Sequence, residues 1–195
     1  MNMKKAALTA LLLSSAAACD RGTPVESSQP ATAPEPPPAA TAPAKPEVDY
    51  PGSIDIFTRV GAGKGTPVAL VADQKVSGSH IMDRDGTLVA FGVRIGTYHG
   101  TADGSLRLSL CVDADCREAE KPVANAKDND YLVFELPEPM TVSSGSVLRY
   151  EFARAGDAKR RVAVWSYPKL DTQSGIVDPS GEEVPMVPRL SIHLQ

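Results

Sequence analysis

The stretch Thr87-Leu88-Val89-Ala90-Phe91-Gly92-Val93-Arg94-Ile95-Gly96-Thr97 decides the fold. Val89, Phe91, Val93 and Ile95 fall on one face, and Ala90, Gly92, Arg94 and Gly96 on the other. That period of two is the mark of a β-strand with one buried face. The same alternation recurs on both sides. Ser105–Val112 turns Leu106, Leu108, Leu110 and Val112 inward, with Arg107 and Ser109 outward. Tyr131–Leu136 aligns Leu132, Phe134 and Leu136, and Val147–Phe152 aligns Leu148, Tyr150 and Phe152. Val162–Tyr167 sets Val162 and Val164 against Ala163, Trp165 and Tyr167. Leu190–Leu194 sets Leu190, Ile192 and Leu194 against Ser191 and His193. Ser53–Phe57, Thr66–Val71 and Val76–Met82 are weaker strands, and Asp85-Gly86, Asp103-Gly104 and Ser180-Gly181 supply turns. Eight or nine strands, each with one apolar face, predict an all-β fold: an antiparallel β-sandwich, jelly-roll-like, over residues 49–195.

The composition changes sharply upstream of this domain. All ten aromatic residues lie beyond residue 49. Residues 1–18 read as a lipoprotein signal peptide: Lys4 and Lys5 precede a mainly apolar run, Ala6–Ala18, too short to span a bilayer. The run ends in Ala16-Ala17-Ala18-Cys19, which resembles the bacterial lipobox, with Ala16 where that pattern prefers Leu. The reading predicts cleavage before Cys19 and its acylation; an ordinary Ala-x-Ala peptidase site is the other reading. Two or more acyl chains, at about 0.8 kcal/mol per buried methylene, anchor a protein stably. Asp20 resembles the inner-membrane retention signal of enteric bacteria, a rule that varies between bacteria, so the choice of inner or outer membrane stays open. Residues 19–48 then read as a lipid-anchored, Pro/Ala-rich disordered linker with eight of the seventeen prolines. Its proline content favours an extended spacer that reaches up to roughly 90 Å.

Several chemistries are excluded. A formal charge of −4 and an aromatic content of 5% argue against a nucleic-acid footprint. His80, His99 and His193 lack metal-ligand spacing, and no GxSxG, HExxH or P-loop occurs. Gly61–Thr66 resembles a phosphate loop without its spacer or following helix. The expectation is a non-enzymatic domain with no cofactor.

Four groups remain as candidates. With Cys19 assigned to lipid, Cys111 and Cys116 form an even pair in an exported, oxidising compartment, spaced for a hairpin disulfide. Asp128 and Asp130 are the better calcium candidates among the acidic turns, the plainer role being turn formation. Trp165 and Tyr167 share one face and form a platform for a sugar ring, unless Trp165 completes the core and the valines face out; Tyr98 stands at a strand end beside Gly100. Arg154, Lys159, Arg160 and Arg161 read as a basic cluster in a hairpin loop.

The words Val93-Arg94-Ile95-Gly96-Thr97-Tyr98, Gly104-Ser105-Leu106-Arg107-Leu108, Asp128-Asn129-Asp130-Tyr131-Leu132-Val133-Phe134 and Leu148-Arg149-Tyr150-Glu151-Phe152 carry a resemblance. They resemble a β-sandwich module of bacterial envelope proteins, found in the periplasmic part of membrane glycosyltransferases and other surface-polysaccharide proteins. The resemblance implies a jelly-roll-like domain working beside envelope glycan or its machinery, lipid-anchored and facing the periplasm. The rival expectation is a protein-binding inhibitor or immunity lipoprotein, with 155–159 or the 171–188 connection as the loop that plugs a cleft.

Overall fold

The computed structural model describes residues 54–156 and 158–195. The readings of Cys19 and of segments 1–18 and 19–48 lie outside the described residues. Thirteen strands follow in order: β1 Ile54–Phe57, β2 Thr66–Leu70, β3 Lys75–Ile81, β4 Gly86–Gly96, β5 Ser105–Val112, β6 Asp115–Pro122, β7 Tyr131–Val142, β8 Val147–Ala155, β9 Val162–Pro168, β10 Ile176–Val177, β11 Glu183–Val184, β12 Met186–Pro188 and β13 Leu190–Leu194. Every pairing is antiparallel. One sheet runs β1-β13-β4-β9-β12, with β7 also on β4 and β2 also on β9; the other runs β11-β10-β3-β8-β5-β6. The two pack as a sandwich, as the alternating apolar faces require.

The core forms where these faces meet. Phe91 and Phe134 of the first sheet face Phe152 of the second, at ring-centroid distances of 6.1 and 6.0 Å. Leu106, Leu108, Leu110 and Leu148 are fully buried, as their alternation predicts. In β4 one detail departs from strict alternation. Leu88, and not Val89, takes the core position, because the register against both β7 and β13 skips Val89. One extra residue in a strand is a β-bulge and flips the faces on one side of it.

Four strands carry no clear apolar signal. β6, Asp-Cys-Arg-Glu-Ala-Glu-Lys-Pro, is an edge strand held by the hairpin with β5. Its charges protect an open edge. Lys121 Nζ donates to Val133 O of β7 at 2.7 Å, and Arg117 Nε to Glu138 O at 3.3 Å. β7 runs on past Leu136 through Pro137 and Pro139, which its own edge position tolerates. β10, β11 and β12 are two or three residues each.

Cys111 and Cys116 are disulfide-bonded. They face each other directly, one pair in from the two-residue turn Asp113-Ala114. The pair next to the closing pair of such a hairpin is non-hydrogen-bonded, where side chains come closest. So short a loop contributes about 2 kcal/mol on the chain-entropy model.

Candidate functional site

The outer face of the first sheet builds the site, beginning at β9. Val162 and Val164 are fully buried, so alternation turns Trp165 and Tyr167 outward, and Trp165 does not complete the core. Both rings are half-buried because they lie over glycines. A Cβ on Gly65 would stand 2.7 Å from Tyr167 Cε1 and 3.2 Å from Trp165 Cε3, and one on Gly96 would stand 3.1 Å from Trp165 Nε1. A side chain at either glycine would lift the rings. The Trp165 indole N–H is buried with no partner among the described residues, so the ring serves by packing.

A change of strand partner places the next two groups. The chain through β12 pairs with β9 up to Pro188, then crosses to pair with β4 from Leu190. Arg189 sits at the crossing. Its N–H donates to Trp165 O at 3.3 Å, and its carbonyl accepts the Arg94 N–H at 3.0 Å. Thr58 closes the gap beneath: its N–H donates to Leu190 O, and its hydroxyl accepts the Leu190 N–H at 2.9 Å. Arg94, Trp165 and Arg189 are thereby fixed side by side by backbone hydrogen bonds.

The side chains then converge on Tyr167. Arg94 Nη1 donates to the Tyr167 hydroxyl at 2.9 Å, while its Nε donates to Asn129 O at 3.0 Å. The Arg189 guanidinium lies 5.1 Å from the Tyr167 ring centroid, a cation–π arrangement. Tyr131 stands opposite Arg94 across β4 and β7. Burial raises its phenol above the ordinary value, and the nearby Arg189 and Arg94 oppose the rise. Phe57 meets Tyr131 with centroids 5.3 Å apart. The two rings reach each other across β13 and β4 because the outward residues between them, Ser191 and Gly92, are small. Two arginines among four aromatic rings thus occupy one sheet face.

The remaining sequence candidates are placed elsewhere. Tyr98 joins Arg161, whose guanidinium lies 4.4 Å from its ring centroid, beside a depression of about 400 Å³ lined also by Val71, Thr101, Lys159 and Arg160. Arg154 does not belong to that surface cluster. β8 continues to Ala155, so alternation carries Arg154 inward behind Phe152, where its side chain is fully buried. Asp128 is a loop staple: its carboxylate accepts the N–H groups of Thr97 at 2.6 Å and His99 at 3.4 Å. Those bonds, Thr97 first, hold its carboxyl below the usual range. Asp130 Oδ1 accepts the Tyr131 N–H at 2.9 Å. Among the described residues no three His, Cys, Asp or Glu gather as a metal-ligand set.

A cleft of about 700 Å³ opens between the edges of β1 and β3. It is lined by Ile54, Ile56, His80 and Ile81 with the segment 170–174, and it touches the aromatic face only through Phe57. Burial lowers the His80 pKa, against the opposing charge of Asp83. Clustered rings and fixed donors belong to the sheet face, so the site is assigned there.

Phe57, Arg94, Tyr131 and Arg189 were not singled out from sequence. Arg94 did leave a signal: it is the one charged residue in the most apolar strand. No protein-family model matches this chain, and no curated protein matches it.

Proposed function

We propose that this protein is a non-catalytic envelope lipoprotein whose β-sandwich binds cell-envelope glycan, or a protein presenting it, through the outer face of the first sheet. The observation that carries the reading is the Phe57–Tyr131–Arg94–Tyr167–Arg189 cluster. The exposed Phe57 ring offers a face for the C–H side of a sugar, and Arg94 is a fixed hydrogen-bond donor in the same cluster. Rigid aromatic groups with few oriented polar donors suit binding with little ordering cost. The likeness to envelope-polysaccharide modules points the same way.

The inhibitor reading rests on two loops, 155–159 and 171–188. Asp103 accepts the N–H groups of Lys159 and Arg160, which ties down the end of the 155–159 loop. Segment 171–188 contains β10, β11 and β12, each paired within a sheet.

Binding is tested by titrating the folded protein with envelope glycan fragments and following heat release. Tyr167→Ala removes the ring under Arg189 and the hydroxyl that accepts from Arg94, and is expected to weaken binding about tenfold or more. Equal binding by Tyr167→Ala, with an unchanged circular dichroism spectrum, sinks this site. The anchor has its own test: mass spectrometry of protein extracted from membranes is expected to find Cys19 first and acylated, and Cys19→Ser is expected in the soluble fraction. An unmodified N-terminus removes the lipoprotein half of the reading.

A further inference from the structure

We propose that the ligand of this face is an acidic saccharide, one bearing a carboxylate or phosphate group, with Arg94 and Arg189 reading its charge. The inference rests on the glycan reading above and names the ligand class.

Two like charges are held adjacent by the backbone. The Arg94 N–H to Arg189 carbonyl bond places their Cα atoms on neighbouring strands, and both side chains meet Tyr167. Such a pair repels itself unless an anion lies between the two charges or close to both. Among the described residues neither guanidinium has a carboxylate within ion-pair distance. Four of the other eight arginines of the domain do: Arg84 with Asp83, Arg107 with Glu120, Arg117 with Asp115 and Glu138, and Arg154 with Asp103; Arg59, Arg149, Arg160 and Arg161 have no such partner among the described residues. The cations at the aromatic face are left open although the domain carries twenty Asp and Glu against sixteen Lys and Arg. Asp130 is also near Tyr131, with one carboxylate oxygen taken by the Tyr131 N–H.

The donors are arranged before any ligand arrives. Arg94 spends Nε on Asn129 O and one Nη1 hydrogen on Tyr167, which locks the guanidinium plane and leaves its Nη2 edge uncommitted. Arg189 rests over the Tyr167 ring and donates no side-chain hydrogen bond among the described residues, so its whole fork is uncommitted. Paired guanidinium N–H groups match the oxygen spacing of carboxylate and phosphate. A neutral sugar offers these forks only hydroxyl oxygens, which accept hydrogen bonds but carry no charge to balance the pair.

The test compares three probes of similar length on the full-length protein: oligogalacturonide for carboxylate, a phosphorylated mannan fragment for phosphate, and a neutral malto-oligosaccharide. At least one acidic probe is expected to bind about tenfold or more tighter than the neutral one at low salt, with the difference shrinking as salt rises. Arg189→Gln, which breaks no side-chain hydrogen bond among the described residues, is expected to reduce acidic binding to the neutral level. Arg161→Gln, a cation beside Tyr98, is expected to leave the preference intact. The two acidic arms separate carboxylate from phosphate as the group read. A neutral probe that binds as tightly as both acidic ones overturns the acid inference and leaves glycan binding standing. So does an equal loss of preference in Arg161→Gln, which would make it a general charge effect. Failure of all three probes overturns both readings.

Discussion

Phe152→Ala is expected to lower the unfolding free energy by about 3–5 kcal/mol, the usual loss for a large aromatic side chain removed from a packed core. Phe152 is fully buried and sits where the sheets meet. Phe91 stacks on it at 6.1 Å, Phe134 tilts against it at 6.0 Å, and Tyr150 lies 5.6 Å away on its own strand. Truncation therefore leaves a void touched by both sheets, with long strands on each side that resist collapse. Urea denaturation gives the number. Phe152→Leu, which keeps most of the volume, should lose much less. If alanine and leucine destabilise equally, the ring cluster is not the centre of the core.

Arg154→Ala is expected to remove about 2–4 kcal/mol, an effect unlike that of a surface arginine. Its guanidinium is fully buried and donates to Ser105 O at 2.8 Å, Arg160 O at 3.2 Å and Asp103 at 3.4 Å. Asp103 in turn accepts the N–H groups of Lys159 and Arg160. One cation therefore organises the end of the sandwich where two loops meet. Removing it strips carbonyls of their donor and loosens the 155–160 turn, so the Arg160 amide should exchange with deuterium faster than in the parent. A loss under about 1 kcal/mol, the range of an exposed ion pair, would mean the network is superficial. The acid limb follows from Asp103. The Arg160 N–H, the Lys159 N–H and Arg154 hold its carboxyl below the ordinary value, against desolvation. Folded Asp103 thus binds its proton less readily than in the unfolded chain. Its stabilisation is present above the unfolded value, about 4, and is lost as pH falls through the lower folded value.

Long strands were legible because each carries its own signal. β4, β5, β8 and β13 show an apolar residue at every second position; burial alternates with it along β5 and most of β8, whereas in β4 and β13 positions on the other face, such as Ala90, Ser191 and His193, are buried as well. The bulge itself was hidden because Leu88 and Val89 are both apolar, so either could take the core position. β6 was hidden for a different reason. Its register comes from the two-residue turn, and as an edge strand it needs few apolar residues. The second half of β7 was masked by Pro137 and Pro139, whose tolerance depends on an edge position that only sheet order reveals.

The site was half legible. Periodicity put Trp165 and Tyr167 together, but the choice of core face required the opposing sheet. Phe57 and Arg189 are separated by 132 positions in the chain, and their proximity to the same rings is set by the order β1-β13-β4-β9. Arg154 misled because a charged residue in a basic run reads as solvated. The alternation of β8 carries it inward behind Phe152.

The position of β1 has a mechanical consequence. It is a four-residue edge strand whose first pair is Ile54 with Leu194, next to the end of the chain. Tension arriving from residues that precede it acts at that end of the ladder, so the pairs yield one at a time, as a zipper opens, instead of shearing together. The rest of the sandwich is spared at first, because Thr58 then bears the strain through its bonds to Leu190. Leu190 directly follows Arg189 in the chain, so a pull on the N-terminal side is transmitted to the aromatic face.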